Sequence, residues 1–117
     1  MPPDRSPRLV LVTAPDATIA ADLARALVSE RLAACGNLLP GLRSIYAWEG
    51  EIHDEPEVLL LLKTTADRVD DLAARVSALH PYDVPEVVAL AIDAGLPTYL
   101  AWIGESVAPA DRDTEPD

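Results

Sequence analysis

The chain has 117 residues, half of them hydrophobic, which is the size and balance of one globular domain with a packed core. Its formal net charge is −11, and its basic residues are a single lysine, Lys63, and eight scattered arginines. Phosphate binding needs clustered basic side chains, so this charge argues against a nucleic-acid partner, and an acidic surface also disfavours contact with an anionic membrane.

Cysteine usage and the apolar segments predict a cytoplasmic protein. Cys35 is the only cysteine, so no disulfide is expected within the chain, which is typical of a reducing compartment. No apolar segment of signal-peptide length follows Arg8. The longest apolar run, Val58–Leu62, is too short to span a bilayer.

Both ends of the chain are predicted to be disordered. Residues 1–7 hold three prolines, and residues 108–117 are small and acidic and are interrupted by two prolines. No internal repeat or linker divides the part between them. One domain is therefore expected over residues 8–107.

The first half of this domain has the pattern of strand, helix and strand. Arg8–Thr13 is a short β-rich apolar run, and Asp16 then caps a helix with one apolar stripe that ends near residue 34. The segment that follows is predicted to be irregular, with a bend or a bulge at Pro40-Gly41. Leu42–Trp48 alternates between faces, which is typical of a strand.

A long hairpin is predicted next. Glu49-Gly50 turns the chain, Glu51–His53 begins the return, and Glu57–Lys63 continues it as a strand buried on both faces. Pro56 interrupts this return, and because proline has no amide hydrogen to donate, a bulge or an edge position is expected there.

The second half closes the domain with helix, strand and helix. Thr64 or Thr65 is expected to cap a helix that ends at His80-Pro81, because the residue before a proline avoids helical geometry. Glu86–Ile92 is a further apolar strand, and Thr98–Val107 is a short terminal helix.

This order of elements predicts the α+β class. Strand, helix, strand, strand, helix and strand form the split βαβ, or ferredoxin-like, arrangement, with an antiparallel sheet and both helices on one face. The other face then carries apolar side chains without a cover, and the predicted hairpin is long for so small a domain. Both features predict an oligomer built through its sheets.

Cys35 and His80 are the two candidate metal ligands. Thiolate and imidazole are the side chains that copper and zinc prefer, and each residue follows a predicted helix. Ordinary structural interpretations stay open, since a lone cysteine often packs as a small hydrophobe and a histidine at a helix end complements the helix dipole. A closed zinc site within one chain is not expected, because no CxxC or HxxxH pair occurs.

The segment around the hairpin turn concentrates acidic side chains. Their spacing does not match a calcium-binding loop, so a charged turn that discourages edge-to-edge pairing and a weak cation-attracting surface are the two interpretations. The cluster consists of Glu49, Glu51, His53, Asp54, Glu55 and Glu57.

Two aromatic residues and the single lysine are further candidates for structural or ligand contacts. Tyr46 and Trp48 share one strand face, where aromatic residues most often fill a core or a subunit contact. Lys63 ends a buried strand and is expected to form an ion pair with Glu86 or Glu49, or to hold an anion.

No enzyme motif is present, so an enzyme is not expected. The chain lacks a nucleophile elbow, a Walker loop and a dinucleotide-binding glycine motif. A dyad of Cys35 and His80, oriented by Asn37, is conceivable by residue type alone.

The ordered sequence blocks resemble the CutA divalent-cation tolerance proteins over about residues 9 to 105. The resemblance depends on Val12-Thr-Ala-Pro15, Arg31-Leu-Ala-Ala-Cys-Gly-Asn37, Ser44-Ile-Tyr46 with Trp48-Glu-Gly50, Lys63-Thr64, His80-Pro-Tyr82 with Pro85-Glu86, and Tyr99-Leu with Trp102. It implies a cytoplasmic homotrimer of ferredoxin-like subunits with strands that continue across subunit boundaries. It also implies tolerance of divalent cations, above all copper, without an organic cofactor, and a shape similar to the PII signalling trimers.

The resemblance also implies site residues. The metal ligands are Cys35 and His80, while Val12 replaces a third cysteine that some members carry. An inter-subunit cleft that would bind a small ligand is implied with the lining Tyr46, Trp48, Glu49, Lys63, Tyr82 and Glu86, together with His80. A metal-binding tolerance protein is therefore the first functional expectation, and a PII-like sensor of a small molecule is the alternative.

Overall fold

The protein was analysed as a computed structural model, which describes residues 3–110. Within that range the strands are β1 (Pro7–Ala14), β2 (Cys35–Trp48), β3 (Glu51–Thr65) and β4 (Val87–Ala91). The helices are α1 (Ala17–Ser29), α2 (Val69–Leu79) and α3 (Pro97–Ser106), and a short 3₁₀ turn, Ala66–Arg68, leads into α2.

The four strands of the described chain form one antiparallel sheet in the order β2-β3-β1-β4. This confirms the predicted α+β, ferredoxin-like arrangement with an extra C-terminal helix. Val10 lies opposite Leu62 and Val12 lies opposite Leu60, and all four side chains are fully buried. They pack under α1 and α2 with the buried residues of those helices, which form the main core.

Helix α1 begins as the sequence predicts. The backbone of Asp16 is extended, and its Oδ1 accepts a hydrogen bond of 2.8 Å from the amide of Ile19, which caps the helix. Leu23 and Leu27 are buried by the sheet. Removing a buried leucine side chain of this kind costs about 2 to 5 kcal/mol.

The start of α2 differs from the prediction, whereas its end agrees with it. Thr65 precedes the 3₁₀ turn, but its hydroxyl donates to Asp67 Oδ1 and does not cap a backbone amide. Thr64 instead donates to the carbonyl oxygen of Leu32 at 2.7 Å. The helix ends at His80, as the following proline dictates.

Strand β2 begins earlier than predicted. The expectation of an irregular segment before Pro40 is wrong, because Cys35 to Leu39 pair with β3 in regular register, from Cys35 opposite Lys63 to Leu39 opposite Leu59. The predicted bulge is confirmed, since the register shifts between Leu39 and Leu42 and Gly41 has a φ of 88°.

Residues 42–57 form a hairpin arm that extends past the rest of the sheet. Strand β1 pairs with β3 only from Val58 onward, so the seven residues 51–57 project by about 23 Å. Glu49 and Gly50 turn the arm with φ angles of 51° and 81°, as predicted. Pro56 lies opposite Arg43 in the part of β3 that pairs with β2 alone, and the free side of the strand there confirms an edge position.

The sheet face away from α1 and α2 is apolar and partly exposed, and we call it the open face. Because side chains alternate between the two faces of a strand, the cross-strand pairs Leu9–Lys63 and Leu11–Leu61 both lie on this face. Leu39 is 53% exposed, and Val88 is 46% exposed. Helix α3 covers one end of this face, where the Tyr99 hydroxyl lies 3.6 Å from Cys35 Sγ.

The N-terminal segment packs on the domain. Strand β1 begins at Pro7, and the Arg5 guanidinium bonds Asp67 at 2.9 Å and the carbonyl oxygens of Gly104 and Val107 at 2.8 and 2.7 Å. Arg5 belongs to the segment 1–7, for which the sequence predicts disorder, and residues 1 and 2 of that segment lie outside the described residues. Residues 111–117, most of the acidic tail predicted to be disordered, lie outside the described residues.

Candidate functional site

A groove of about 540 Å³ lies between the hairpin arm and the loop that leads from α2 to β4. The arm contributes Tyr46, Trp48 and Glu57, and the loop contributes Tyr82, Asp83 and Glu86. The arm side chains share one face because they alternate along the strands, and Glu57 stands at the point where the arm joins the sheet.

His80 fixes the start of this loop. Its ring is 7% exposed, and its Nδ1 accepts a hydrogen bond of 3.1 Å from the amide of Tyr82. Its Nε2 lies 2.8 Å from the carbonyl oxygen of Thr13. A carbonyl oxygen only accepts, so Nε2 carries the proton and the ring is the neutral tautomer. His80 thereby holds the loop against the end of β1.

Tyr82 reaches from the loop to the arm. Its hydroxyl donates to Glu57 Oε2 at 2.7 Å, and Glu57 is 8% exposed. Burial, and then the hydrogen bond to Glu57, raises the pKa of Tyr82 well above its ordinary value of 10.0. The phenol therefore stays protonated near neutral pH, and it bonds one oxygen of a buried carboxylate.

Tyr46 is held by neighbours on its own arm. Its hydroxyl donates to Glu55 Oε1 at 2.5 Å, and this bond is the main cause of the raised pKa of Tyr46. Its ring stacks on His53, with centroids 5.1 Å apart and planes 14° apart. The ring at the groove wall is therefore oriented by two contacts.

The groove is acidic. No lysine or arginine lines it, and within residues 3–110 no basic side chain forms an ion pair with Glu57, Asp83 or Glu86. Among residues 3–110 no donor bonds Glu57 Oε1, and this oxygen is not among the buried polar atoms that lack a partner, so it is open to solvent. A groove lined by three carboxylates and by no lysine or arginine favours a positively charged occupant.

The cleft implied by the family resemblance corresponds in part to this groove. Tyr46, Trp48, Tyr82 and Glu86 line it together, whereas Glu49 lies at the turn of the arm and Lys63 lies elsewhere on the open face. The ammonium group of Lys63 donates to Asn37 Oδ1, so the expected ion pair with Glu86 or Glu49 is absent from the described residues.

The structure does not bring Cys35 and His80 together within one protomer. Cys35 lies opposite Lys63, and His80 bonds Thr13, which lies opposite Leu59. Four residues of β3, or about 13 Å, separate these two points. A thiol–imidazole dyad and a metal site made from both side chains of one chain therefore have no geometric basis.

The acidic cluster of the arm does not form a metal cage. Among residues 3–110, no group of three or more histidine, cysteine, aspartate or glutamate side chains is placed to hold a metal ion. Asp54 instead pairs with Arg43 at 2.7 Å, and this bond lowers the pKa of Asp54 and raises that of Arg43.

The sequence interpretation missed Glu57 and Asp83 as groove residues. Glu57 was assigned to the acidic cluster, yet it is buried and bonded to a loop 25 residues away. The sequence feature that indicates a buried Glu57 is its position directly before the apolar run Val58–Leu62. A charged side chain at the start of such a buried strand needs a partner.

Comparison with known proteins places these features in context. A family model described as CutA1 divalent ion tolerance protein matches residues 8–106. The chain is 53% identical over 98 residues to the divalent-cation tolerance protein CutA of Thermus thermophilus, which is 84% of this chain and 95% of that protein. It is 47% identical over 96 residues to the CutA homolog of Xenopus laevis, which is 82% of this chain but 64% of that longer protein.

Solved structures have the same fold. The divalent cation tolerance protein of Thermus thermophilus superposes with a TM-score of 0.85 and 51% identity, covering 87% of this chain and 99% of that one. CutA1 from Oryza sativa superposes with a TM-score of 0.86 and 42% identity, covering 90% and 96%. The described part of this chain contains no helix that is long and apolar enough to cross a membrane.

Proposed function

Since this chain belongs to the CutA1 divalent ion tolerance family, we propose that it takes part in tolerance of divalent cations as a non-catalytic protein that binds the metal directly. The match over residues 8–106 is the observation that carries the proposal. It confirms the resemblance found in the sequence blocks. The formal charge of −11 supports the proposal further, because a negative surface raises the local concentration of cations.

We propose that the working form is a homotrimer, as the family resemblance implies. Ile45 and Ile52 on the arm are 65% and 75% exposed, and Leu39 on the open face is 53% exposed. By strand alternation the two isoleucines and Leu39 lie on opposite sides of the sheet, so the arm and the open face each expose apolar side chains. Exposed apolar surfaces of this kind mark interaction sites, and contacts between protomers would cover them.

The metal ligands in this proposal stay Cys35 and His80, with copper as the first ion to test. Because the two side chains lie apart in one protomer, a shared site would draw them from different protomers. His80 would also have to release Thr13 or Tyr82, since both of its ring nitrogens are bonded.

A cytoplasmic location is likewise a proposal, and the single cysteine supports it. Relatives differ in the location that their names give. The structure from Archaeoglobus fulgidus is named a periplasmic divalent cation tolerance protein, and the Arabidopsis thaliana relative is named chloroplastic.

Growth under metal stress tests the tolerance role. Cells that lack their own CutA protein would be complemented with this chain, or with the Cys35→Ser, His80→Gln double variant, and grown in raised copper and raised zinc. The proposal expects rescue by the wild type and loss of rescue by the variant at equal protein level. Equal growth with the empty vector would contradict the proposed role.

The groove favours a second candidate function, a PII-like sensor of a small molecule. The specific observation is a cavity of about 540 Å³ that places Tyr46, Trp48 and Tyr82 beside buried Glu57. The expected anion beside Lys63 is not supported, because Lys63 does not line the groove. A thermal-shift screen of charged and neutral metabolites tests this function, since a ligand of the native state raises its stability. Absence of any stabilising compound would count against it.

A further inference from the structure

We infer that the groove between the hairpin arm and the loop of residues 81–86 binds an aliphatic diamine, with its ammonium groups on Glu57 and on the carboxylates of Asp83 and Glu86. The inference deepens the second candidate function and depends on it. It assigns a chemical class to a ligand that the family resemblance leaves open.

The groove concentrates negative charge. Three carboxylates line one groove, and no basic side chain among residues 3–110 pairs with any of them. Glu57 is more than nine-tenths buried, and only its Oε2 is bonded, by Tyr82. The free oxygen belongs to a residue that lines the cavity. An ammonium group there would replace solvent as the donor to this oxygen and would add a charge of opposite sign.

The wall of the groove is aromatic. Tyr46, Trp48 and Tyr82 present aromatic surface, and Trp48 is 50% exposed. Aromatic faces attract organic cations and cover methylene groups. An alkyl chain with an ammonium group at each end uses both properties, whereas a hydrated inorganic ion uses neither.

The arrangement of the acidic side chains does not suit a bound metal ion. A divalent metal requires several ligand atoms converging within about 2.0 to 2.6 Å. The described residues hold no group of three acidic, cysteine or histidine side chains placed for this. Glu57 comes from the arm, and Asp83 and Glu86 come from the loop, so an ammonium group at each end of a flexible chain could meet carboxylates on both walls. The absence of lysine and arginine from the lining disfavours an anionic ligand.

Tryptophan fluorescence offers a direct readout. The chain has two tryptophans, so Trp102→Phe leaves Trp48 in the groove wall as the only one. In that background, putrescine is titrated at physiological ionic strength, where weak surface attraction is screened. Butane-1,4-diol is the neutral probe of equal chain length, Mg²⁺ is the inorganic probe of equal charge, and glutarate is the anionic probe.

Two matched variants locate the site. Glu57→Gln removes the buried charge but keeps an oxygen that accepts from Tyr82, and Glu105→Gln removes a charge from exposed α3, outside the groove. We expect saturable binding of putrescine that weakens at least about tenfold in Glu57→Gln and is unchanged in Glu105→Gln. Circular dichroism and the putrescine-free spectrum of Trp48 verify that both variants are folded.

The remaining outcomes overturn the inference in distinguishable ways. Equal weakening in both variants would mean diffuse attraction to an acidic surface. A Glu57-dependent response to Mg²⁺ equal to that for putrescine would make the groove a metal site. Binding of butanediol or glutarate alone would keep the groove as a ligand site but exclude the diamine. Silence with every probe would overturn the diamine, whereas the sensor function would be overturned only by the metabolite screen described above.

Discussion

The imidazole of His80 donates from Nε2 to the carbonyl oxygen of Thr13 at 2.8 Å, and this bond ties the end of α2 to the end of β1. The same ring accepts the amide of Tyr82 and so sets the start of the groove loop. One buried side chain therefore connects the core of the domain to the candidate site. It acts through hydrogen bonds that its neutral form provides.

Replacing His80 should loosen both the fold and the groove. His80→Ala leaves the Thr13 carbonyl without its donor and opens a cavity, so we expect a loss of about 2 to 4 kcal/mol in the free energy of unfolding. His80→Gln keeps an amide donor and should lose about 1 kcal/mol. Urea unfolding followed by circular dichroism measures both. Equal losses in the two variants would show that the bond to Thr13 contributes little.

Acid should weaken the salt bridge between Arg5 and Asp67. Burial alone would raise the pKa of Asp67, but hydrogen bonds from Thr65, the amide of Ala110 and Arg5 outweigh it, and the pKa lies below 3.8. A lowered pKa contributes stability that is fully present above the ordinary value and is lost as the pH falls through the folded-state value.

The substitution Asp67→Asn tests the contribution of this salt bridge. We expect it to lower the free energy of unfolding by about 2 kcal/mol at pH 7 and to reduce the further loss on acidification below about pH 4. Asp54→Asn is the control, because Asp54 pairs with Arg43 on an exposed arm and such pairs add little. A wild-type and an Asp67→Asn curve that run parallel from pH 7 to the acid limit would contradict the account.

Two glycines should respond to alanine in opposite directions. A Cβ on Gly36 would lie 3.0 Å from a Leu62 methyl carbon and 3.1 Å from the Ala24 Cβ, which marks the close contact of β2 with α1. Gly36→Ala should therefore destabilise by about 1 to 3 kcal/mol. At Gly104 in α3 nothing lies within 4 Å, so Gly104→Ala should stabilise by up to about 1 kcal/mol. Thermal unfolding measures the change in melting temperature of each variant. A rise in the melting temperature of both variants would show that packing at Gly36 is looser than the structure indicates.

The solution mass should be three times that of the 12.5 kDa chain. Sedimentation equilibrium measures it. Ile52→Asp, on the arm where the side chain is 75% exposed, should shift the mass toward that of a monomer, because a charge replaces apolar contact area. Ala74→Asp on the exposed side of α2 is the control and should leave the mass unchanged. A wild-type mass of one chain would contradict the proposed assembly.

The parts of the fold that the sequence predicted correctly depend on local signals. Asp16 caps α1, Glu49-Gly50 turns the arm, and His80-Pro81 ends α2, and each needs only a few neighbouring residues. The ferredoxin-like order then follows from the order of the elements, and the sequence blocks alone indicate the family.

The parts that the sequence did not predict depend on distant partners. Cys35 to Leu39 have an irregular sequence pattern because their strand character comes from pairing with β3, between 20 and 28 residues later. The pairing of Lys63 with Asn37 and of Tyr82 with Glu57 spans 26 and 25 residues. The spacing of Cys35 and His80 along the chain likewise carried no information on the separation that the sheet imposes.

A calorimetric titration of the reduced, metal-free protein with copper and then zinc tests most directly whether the protein binds divalent metal through Cys35 and His80. The wild type is compared with the Cys35→Ser, His80→Gln double variant, which keeps a donor for Thr13 and so preserves the fold. The account predicts sub-micromolar binding that the double variant loses. Weak binding of equal strength in both proteins would contradict it, and would mean that the acidic surface collects cations without a built site.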